Sequence, residues 1–218
     1  MRKQIPLFLT AAFLLYSCNT NIGQSADLIK QESSPGSKMG VDGKLQTNTI
    51  FFNGQLATLK RYALLHGYST QYAFLVDMAM HSGAKRFFVV EMKTGKILTT
   101  GLVTHGSSRW QMKDGERKYS NDNSSFCTSL GKYKIGEKYY GKFGLAYKLT
   151  GLDATNSNAY ARAVVLHSHP YVPDDERAAA ICQSWGCPTV SPNFLKVLSA
   201  YIDASHKCIL LDIFDSGK

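Results

Sequence analysis

Between His167 and Pro192 the chain reads HSHPYVPDDERAAAICQSWGCPTVSP. Two histidines, two cysteines and two aspartates in so short a stretch admit three chemistries. In the first, Cys187 is a nucleophile. A thiol is mostly protonated at neutral pH, and it becomes reactive when an imidazole or the positive end of a helix favours the thiolate. His167 closes the apolar run AVVLH, and Cys187 stands just ahead of Ser191-Pro192, a helix start, so both lie at element ends that can face a cleft. Gly186 leaves room beside the sulfur for a substrate carbonyl, and the amides of Gly186 and Cys187 are candidate donors to an oxyanion. The second chemistry is metal binding through His167, His169, Asp174, Asp175, Cys182 and Cys187. Structural zinc sites favour short Cys-x2-Cys pairs, whereas this stretch offers Cys-x4-Cys and His-x-His. The third is a Cys182–Cys187 disulfide, which would silence the thiol permanently or switch it reversibly.

These residues need a frame to hold them. Phe52, Leu56, Leu59 and Ala63 recur at helical spacing, and Gly67 supplies a stop. YAFLVDMAM and RFFVVEM read as strands, and KTGK turns the second into ILTTGLV as a hairpin around Gly95. From Thr104 to Tyr133 the chain is polar and turn-rich without periodicity, and a loop of that length inside a domain usually covers a site. KYKIG, LAYKLTGL and ARAVVLH are further short strands. SPNFLKVLSAYI is a helix with Ser191 as N-cap, Pro192 in the first turn, and Leu195, Leu198 and Ile202 on one face. CILLDIF closes the chain as a strand, with Cys208 expected to be a buried small hydrophobe. The fold class is α+β, mainly β, with one leading and one late helix.

The 218 residues are 44% hydrophobic and 19% charged, enough for one globular domain with a core and unlike a disordered chain. Net charge is +9, but the basic residues are scattered and mixed with acids and aromatics. A nucleic-acid stripe would be denser, so the charge reads as attraction to an anionic envelope or polymer, or as a solvated basic surface, with no nucleic acid as partner. MRKQ followed by IPLFLTAAFLLY has the form of a signal peptide over 1–17, too short for a membrane span. It ends in LLYSC, which resembles a lipobox with Leu15, Ser17 and a lipidated Cys18, although Tyr16 stands where a small residue is usual. A secretory signal cleaved nearby is the alternative. Lipidation would anchor the protein to a membrane, with the polar segment 18–46 as a flexible tether and 47–218 as the folded domain. NTNIGQ after Cys18 lacks the acidic run that often marks surface export, so the expected location is the cell envelope, on the outer membrane facing the periplasm.

His167, sixteen residues, then Ser184-Trp185-Gly186-Cys187 resembles the signature of L,D-transpeptidase catalytic domains of the YkuD type, whose pattern ends in Ser/Thr-His-Gly-Cys. GLVTHG, SNDNSSFCTSLGKYKIG and AVVLHS agree with it, and the likeness runs over about residues 70 to 215. It is nearest the subgroup that lacks the second histidine and follows Gly-Cys with Pro. Trp185 stands where the usual motif has that histidine, so any role of the latter is absent here or falls to His169 or His105.

The resemblance implies a compact β-sandwich or barrel-like domain, monomeric, with no metal and no cofactor. Cys187 would be the nucleophile and His167 its base. The Ser168 carbonyl would orient the imidazole, and the Gly186 and Cys187 amides would hold the oxyanion. Trp185, Tyr171, Ser184 and His105 would meet substrate, and Arg109 and Arg177 could meet its carboxylates. The substrate would be a peptidoglycan stem peptide, attacked at its third-position carbonyl to expel the terminal D-amino acid. A second stem's amine would resolve the thioester into a 3→3 crosslink. Alternatives are hydrolysis by an L,D-carboxypeptidase or endopeptidase of the same fold, and a non-catalytic lipoprotein that binds cell wall.

Overall fold

The computed structural model describes residues 41–109 and 117–218, with side chains from Phe52 onward. The expected signal peptide, Cys18 and the tether as far as residue 40 lie outside the described residues.

Helix α1 (Val41–His66) begins six residues before the expected start of the folded domain at 47. Leu56, Leu59 and Ala63 are buried, as their spacing demands. Gly67, at φ 74°, ends the helix, and the Tyr68 amide returns to the Ala63 carbonyl at 3.0 Å.

Strands β1 (Tyr72–Asp77), β2 (Phe87–Glu91), β3 (Ile97–Gly101), β4 (Gly131–Gly141), β5 (Gly144–Gly151), β6 (Val165–Ser168), β7 (Thr189–Val190) and β8 (Leu210–Phe214) form one mixed sheet. Its order is β3-β2-β1-β8-β4-β5-β6-β7. The β1–β8 and β6–β7 pairs are parallel and the others antiparallel. β8 is buried along its whole length, which is why it reads as a continuous apolar run broken only by Asp212. Cys208 lies ahead of it and is exposed, so the expectation of a buried thiol fails: the strand starts two residues later, at Leu210.

Alternation splits the core in two. Ala73, Leu75 and Leu210 face α1 with Val90 and Phe214. Phe74, Val76, Leu211 and Ile213 face the larger core, with Tyr133, Tyr147, Leu149, Leu166 and Val190. Helix α2 (Pro192–Ala204) adds Phe194, Leu195 and Leu198 to that core. Its N-cap is Ser191, whose Oγ accepts from the Phe194 amide at 3.1 Å. Asp174 accepts from the Ser191 hydroxyl and, at 2.7 Å, from the Asn193 side chain, which puts an anion at the helix's positive end.

The two ends of the sheet meet. Past β3 the chain runs beside the segment that carries Cys187: the Thr104 amide donates to Thr189 O at 2.9 Å and the Ser184 amide to His105 O at 2.9 Å. A parallel bridge joins Gly106 to Ser184. This closure makes the sheet barrel-like, and it brings a strand end from the first half of the domain against the last third.

Candidate active site

β6 and β7 run parallel with His167 opposite Thr189. In an extended chain residues two apart share a side, so Cys187, two before Thr189, and Val165, two before His167, lie on matching faces. The Val165 amide accordingly points at Cys187 Sγ, 3.5 Å away, and the Ala163 carbonyl lies 3.9 Å from the same sulfur. Ala163 has φ 53°, an uncommon conformation for a residue with a Cβ, and it turns that carbonyl toward the thiol.

His167 is buried and both its nitrogens are engaged. Nδ1 lies 3.1 Å from the Ser168 carbonyl, an acceptor only, so the ring proton of the neutral imidazole is on Nδ1. Nε2 is left with its lone pair, and the Thr189 hydroxyl, 3.0 Å away, donates to it. No thiol–imidazole hydrogen bond is present at rest. Burial pushes the Cys187 thiol above its ordinary range, against the downward pull of the Val165 amide and the Arg162 charge. Burial also pulls His167 down, with the Ser168 carbonyl acting the other way and His169 adding to the decrease. The pair therefore rests as a neutral thiol beside a neutral imidazole. The helix end contributes no visible contact to the sulfur, since α2 turns its first amides to Ser191.

Gly186 has φ 106°, and a Cβ on it would stand 2.6 Å from Cys127 O and 3.3 Å from an Arg162 nitrogen, so only glycine fits. Arg162 donates to Cys127 O at 2.7 Å, to Ser120 O at 2.9 Å and to the Ser125 hydroxyl at 3.1 Å, clamping the long loop beneath this turn. Of the two amides expected to face an oxyanion, that of Gly186 donates to Ser184 Oγ at 3.2 Å, while that of Cys187 has no partner among the described residues. The Ser184 hydroxyl in turn donates to Cys187 O at 2.7 Å. Ser184 is thus a tie within the turn.

His105 is a strut as well. Arg86, fully buried, donates to its Nδ1 at 3.1 Å and to Val103 O at 2.8 Å, and the Gln183 amide lies 3.2 Å from His105 Nε2. Burial first, then the charges of Arg86 and Arg117, lower His105 to about 4. Trp185 and Tyr171 stay exposed on the rim, Trp185 against Phe126 at 5.1 Å and Tyr171 against His169 at 4.8 Å. Phe143, at the tip of the β4–β5 hairpin, stacks on His167 at 5.2 Å and meets His169 at 5.7 Å, so both imidazoles lie on one side. Arg109 and Arg177 are held through their backbone amides, to Ser125 O and Gly83 O.

The structure thus brings Cys187, His167, Ser168, Gly186 and Ser184 together, with His105 behind them and Trp185 and Tyr171 on the rim. Sequence reasoning missed Thr189, Arg162, Phe143 and Arg86. Thr189 had a signal, two residues after Cys187 in an extended segment; the other three come from distant positions. Among the described residues no cysteine is in a disulfide, and Cys182 packs beside Leu102, Val172 and Ile181. Among the described residues no three His, Cys, Asp or Glu side chains converge as metal ligands, and Asp174 is committed to the cap of α2.

A family model described as L,D-transpeptidase catalytic domain matches residues 44–210. Among solved structures, an L,D-transpeptidase (residues 123–326) from Xylanimonas cellulosilytica is similar at 14% identity and TM-score 0.38, over 70% of this chain and 68% of that one. The helical cell shape determining protein Pgp2 of Campylobacter jejuni is similar at 17% identity and TM-score 0.38, over 66% of this chain and 47% of its own. No curated protein matches.

Proposed function

Since the chain belongs to the L,D-transpeptidase catalytic domain family of peptidoglycan-modifying enzymes, we propose that it is a cysteine acyltransferase that works on stem peptides through a Cys187 thioester. The observation that carries this is the state of His167: its proton is fixed on Nδ1 by Ser168 O, and its basic Nε2 is left on the side of the Cys187 strand. Ser184-Trp185-Gly186-Cys187-Pro188 supports the subgroup in which Trp replaces the second histidine.

Both groups start neutral, so the thiol proton moves to His167 Nε2 as the substrate carbonyl arrives. The sulfur attacks that carbonyl, and the open Cys187 amide receives the oxyanion; the Gly186 amide joins it on leaving Ser184 Oγ. The tetrahedral species collapses as imidazolium returns the proton to the departing amine of the D-amino acid, leaving the thioester. A second stem's amine then gives up a proton to His167 and displaces the sulfur, giving a 3→3 crosslink. Water in the same place would give trimming. Leu15-Tyr16-Ser17-Cys18 supports a lipid anchor, and NTNIGQ after it, without an acidic run, supports an outer-membrane location facing the periplasm; radiolabelled fatty acid incorporation and its loss in Cys18→Ala would test the anchor.

The decisive experiment is intact-mass measurement of the domain after exposure to a carbapenem or a defined stem peptide. Wild type gains an acyl adduct, Cys187→Ala gains none, and His167→Ala forms it about a hundredfold or more slowly. Repeating the stem-peptide reaction with and without an amine acceptor separates transfer from hydrolysis. A folded wild-type domain that never acquires the adduct overturns the reading.

A further inference from the structure

We infer that Thr189 is a positioning residue whose hydroxyl reverses its hydrogen bond when His167 gains a proton. This rests on the reading of His167 as the base. Thr189 is buried and its Oγ1 has two neighbours, His167 Nε2 at 3.0 Å and Cys187 O at 3.4 Å. It has one proton to give. At rest Cys187 O is already served by the hydroxyls of Ser184 at 2.7 Å and Thr104 at 3.2 Å. The bare lone pair of Nε2 is the better acceptor, so the Thr189 proton sits there, and it reinforces from one side the tautomer that Ser168 O imposes from the other.

When the Cys187 S–H bond breaks and its proton reaches Nε2, the imidazolium has no lone pair to offer. The Thr189 oxygen then accepts from Nε2–H, and its own proton turns to Cys187 O at 3.4 Å as the Ser184 hydroxyl turns to His105 O at 3.3 Å. Thr189 keeps its proton throughout; only the direction of the bond changes. A hydrogen bond to a charged donor is about twice as strong as a neutral one, so the hydroxyl favours the protonated ring more than the neutral ring. It offsets part of the burial that lowers His167, at the step where charge develops. The other titratable or charged groups around the ring are His169, which shares Phe143 with it, Cys187 on the neighbouring segment, and Lys142, whose ammonium lies 5.8 Å from the Phe143 ring centre. Among the described residues none of them hydrogen-bonds the His167 ring, as the Thr189 hydroxyl does.

The test compares Thr189→Val, close to the same size and without a hydroxyl, with Thr189→Ser. Histidine ring nitrogen NMR follows the His167 titration in each protein, and adduct mass follows the acylation rate. Thr189→Val is expected to move the His167 titration to lower pH and to slow acylation about ten- to hundredfold, the worth of one hydrogen bond to a charged group. Thr189→Ser is expected to restore both. A merely structural role would leave the titration in place while lowering the melting temperature, and that result overturns the inference. So does an upward move, which would mean that the hydroxyl only donates. Should Thr189→Val fail to fold, Thr189→Ser and Thr189→Ala carry the same comparison. The titration needs no turnover: if Thr189→Val shifts the titration while wild type never acylates, the catalytic reading alone fails, and if wild type acylates while Thr189→Val leaves the titration in place, only the role of Thr189 fails.

Discussion

Acid should loosen this site through His105. Its ring takes a hydrogen bond from Arg86 on Nδ1 and lies among the charges of Arg86 and Arg117, which with burial hold it at about 4 against an ordinary 6.5. The sign follows directly. The unfolded chain binds this proton first as pH falls, so stability is fully present above about 6.5 and is lost down to about 4. At 1.36 kcal/mol per unit, the gap of about 2.5 units sets a ceiling near 3 kcal/mol. For a domain of this size each kcal/mol moves the melting temperature by about 2–4 °C, so the ceiling is about 6–12 °C. His105→Gln keeps hydrogen-bonding capacity and cannot titrate. It should be less stable than wild type by a fixed amount above about 6.5, where His105 is neutral folded and unfolded alike. Melting curves of both proteins from pH 7.5 to 4 should therefore converge as the wild type alone loses this contribution, every other titrating group being common to the two. His105 O also receives the Ser184 amide, so wild-type acylation should fall where the folded ring takes its proton, near pH 4. Two curves that stay parallel to pH 4 would refute the argument, because the ring would then be taking its proton at the same pH folded and unfolded.

Asp212, buried in β8, is raised to about 6, chiefly by burial, with Lys132 opposing and Asp153 reinforcing. A carboxylate raised in the fold costs stability as pH climbs from about 4 to 6, so Asp212→Asn should melt higher than wild type at pH 7.5, by at most about 3 kcal/mol, and equally at pH 4; a lower melting temperature at pH 7.5 contradicts this. Gly186→Ala should fold with a loss of about 1–3 kcal/mol from its φ of 106° and slow adduct formation about a hundredfold, since displacing Cys187 by as little as 1 Å costs that much; a rate within threefold of wild type would show that the turn tolerates a Cβ.

The sequence made some of this plain because the signals were local. α2 announces itself by Ser191-Pro192 and the spacing of Leu195 and Leu198, and the structure has the cap and the buried face. β8 is a buried run of five, long enough to stand out. β7 escaped notice because it has two residues, Thr189 and Val190, and exists only through its partner β6. The first turns of α1 were hidden for another reason: VDGKLQTNT carries no apolar stripe, so nothing in its periodicity distinguished it from a tether. Cys208 was misjudged because an apolar run gives the identity of a strand better than its first residue. At the site, residue types nominated Cys187 and His167, but Arg86 and Arg162 act through contacts over long stretches of chain that no spacing encodes. The neutral state of the pair was equally hidden, since it comes from burial.

That neutrality has a structural corollary. A half-buried thiol that rests protonated depends on the arrival of substrate for its activation, so the turn that holds it must already be rigid. Here rigidity is imported. Cys187 O is held by Ser184 and by Thr104, and Ser184 is paired to His105, so the segment beyond β3 fixes a nucleophile more than eighty positions later. The closure that makes the sheet barrel-like and the support of the reactive turn are the same hydrogen bonds. Weakening the barrel seam at Thr104 or His105 therefore also loosens the turn that carries the sulfur.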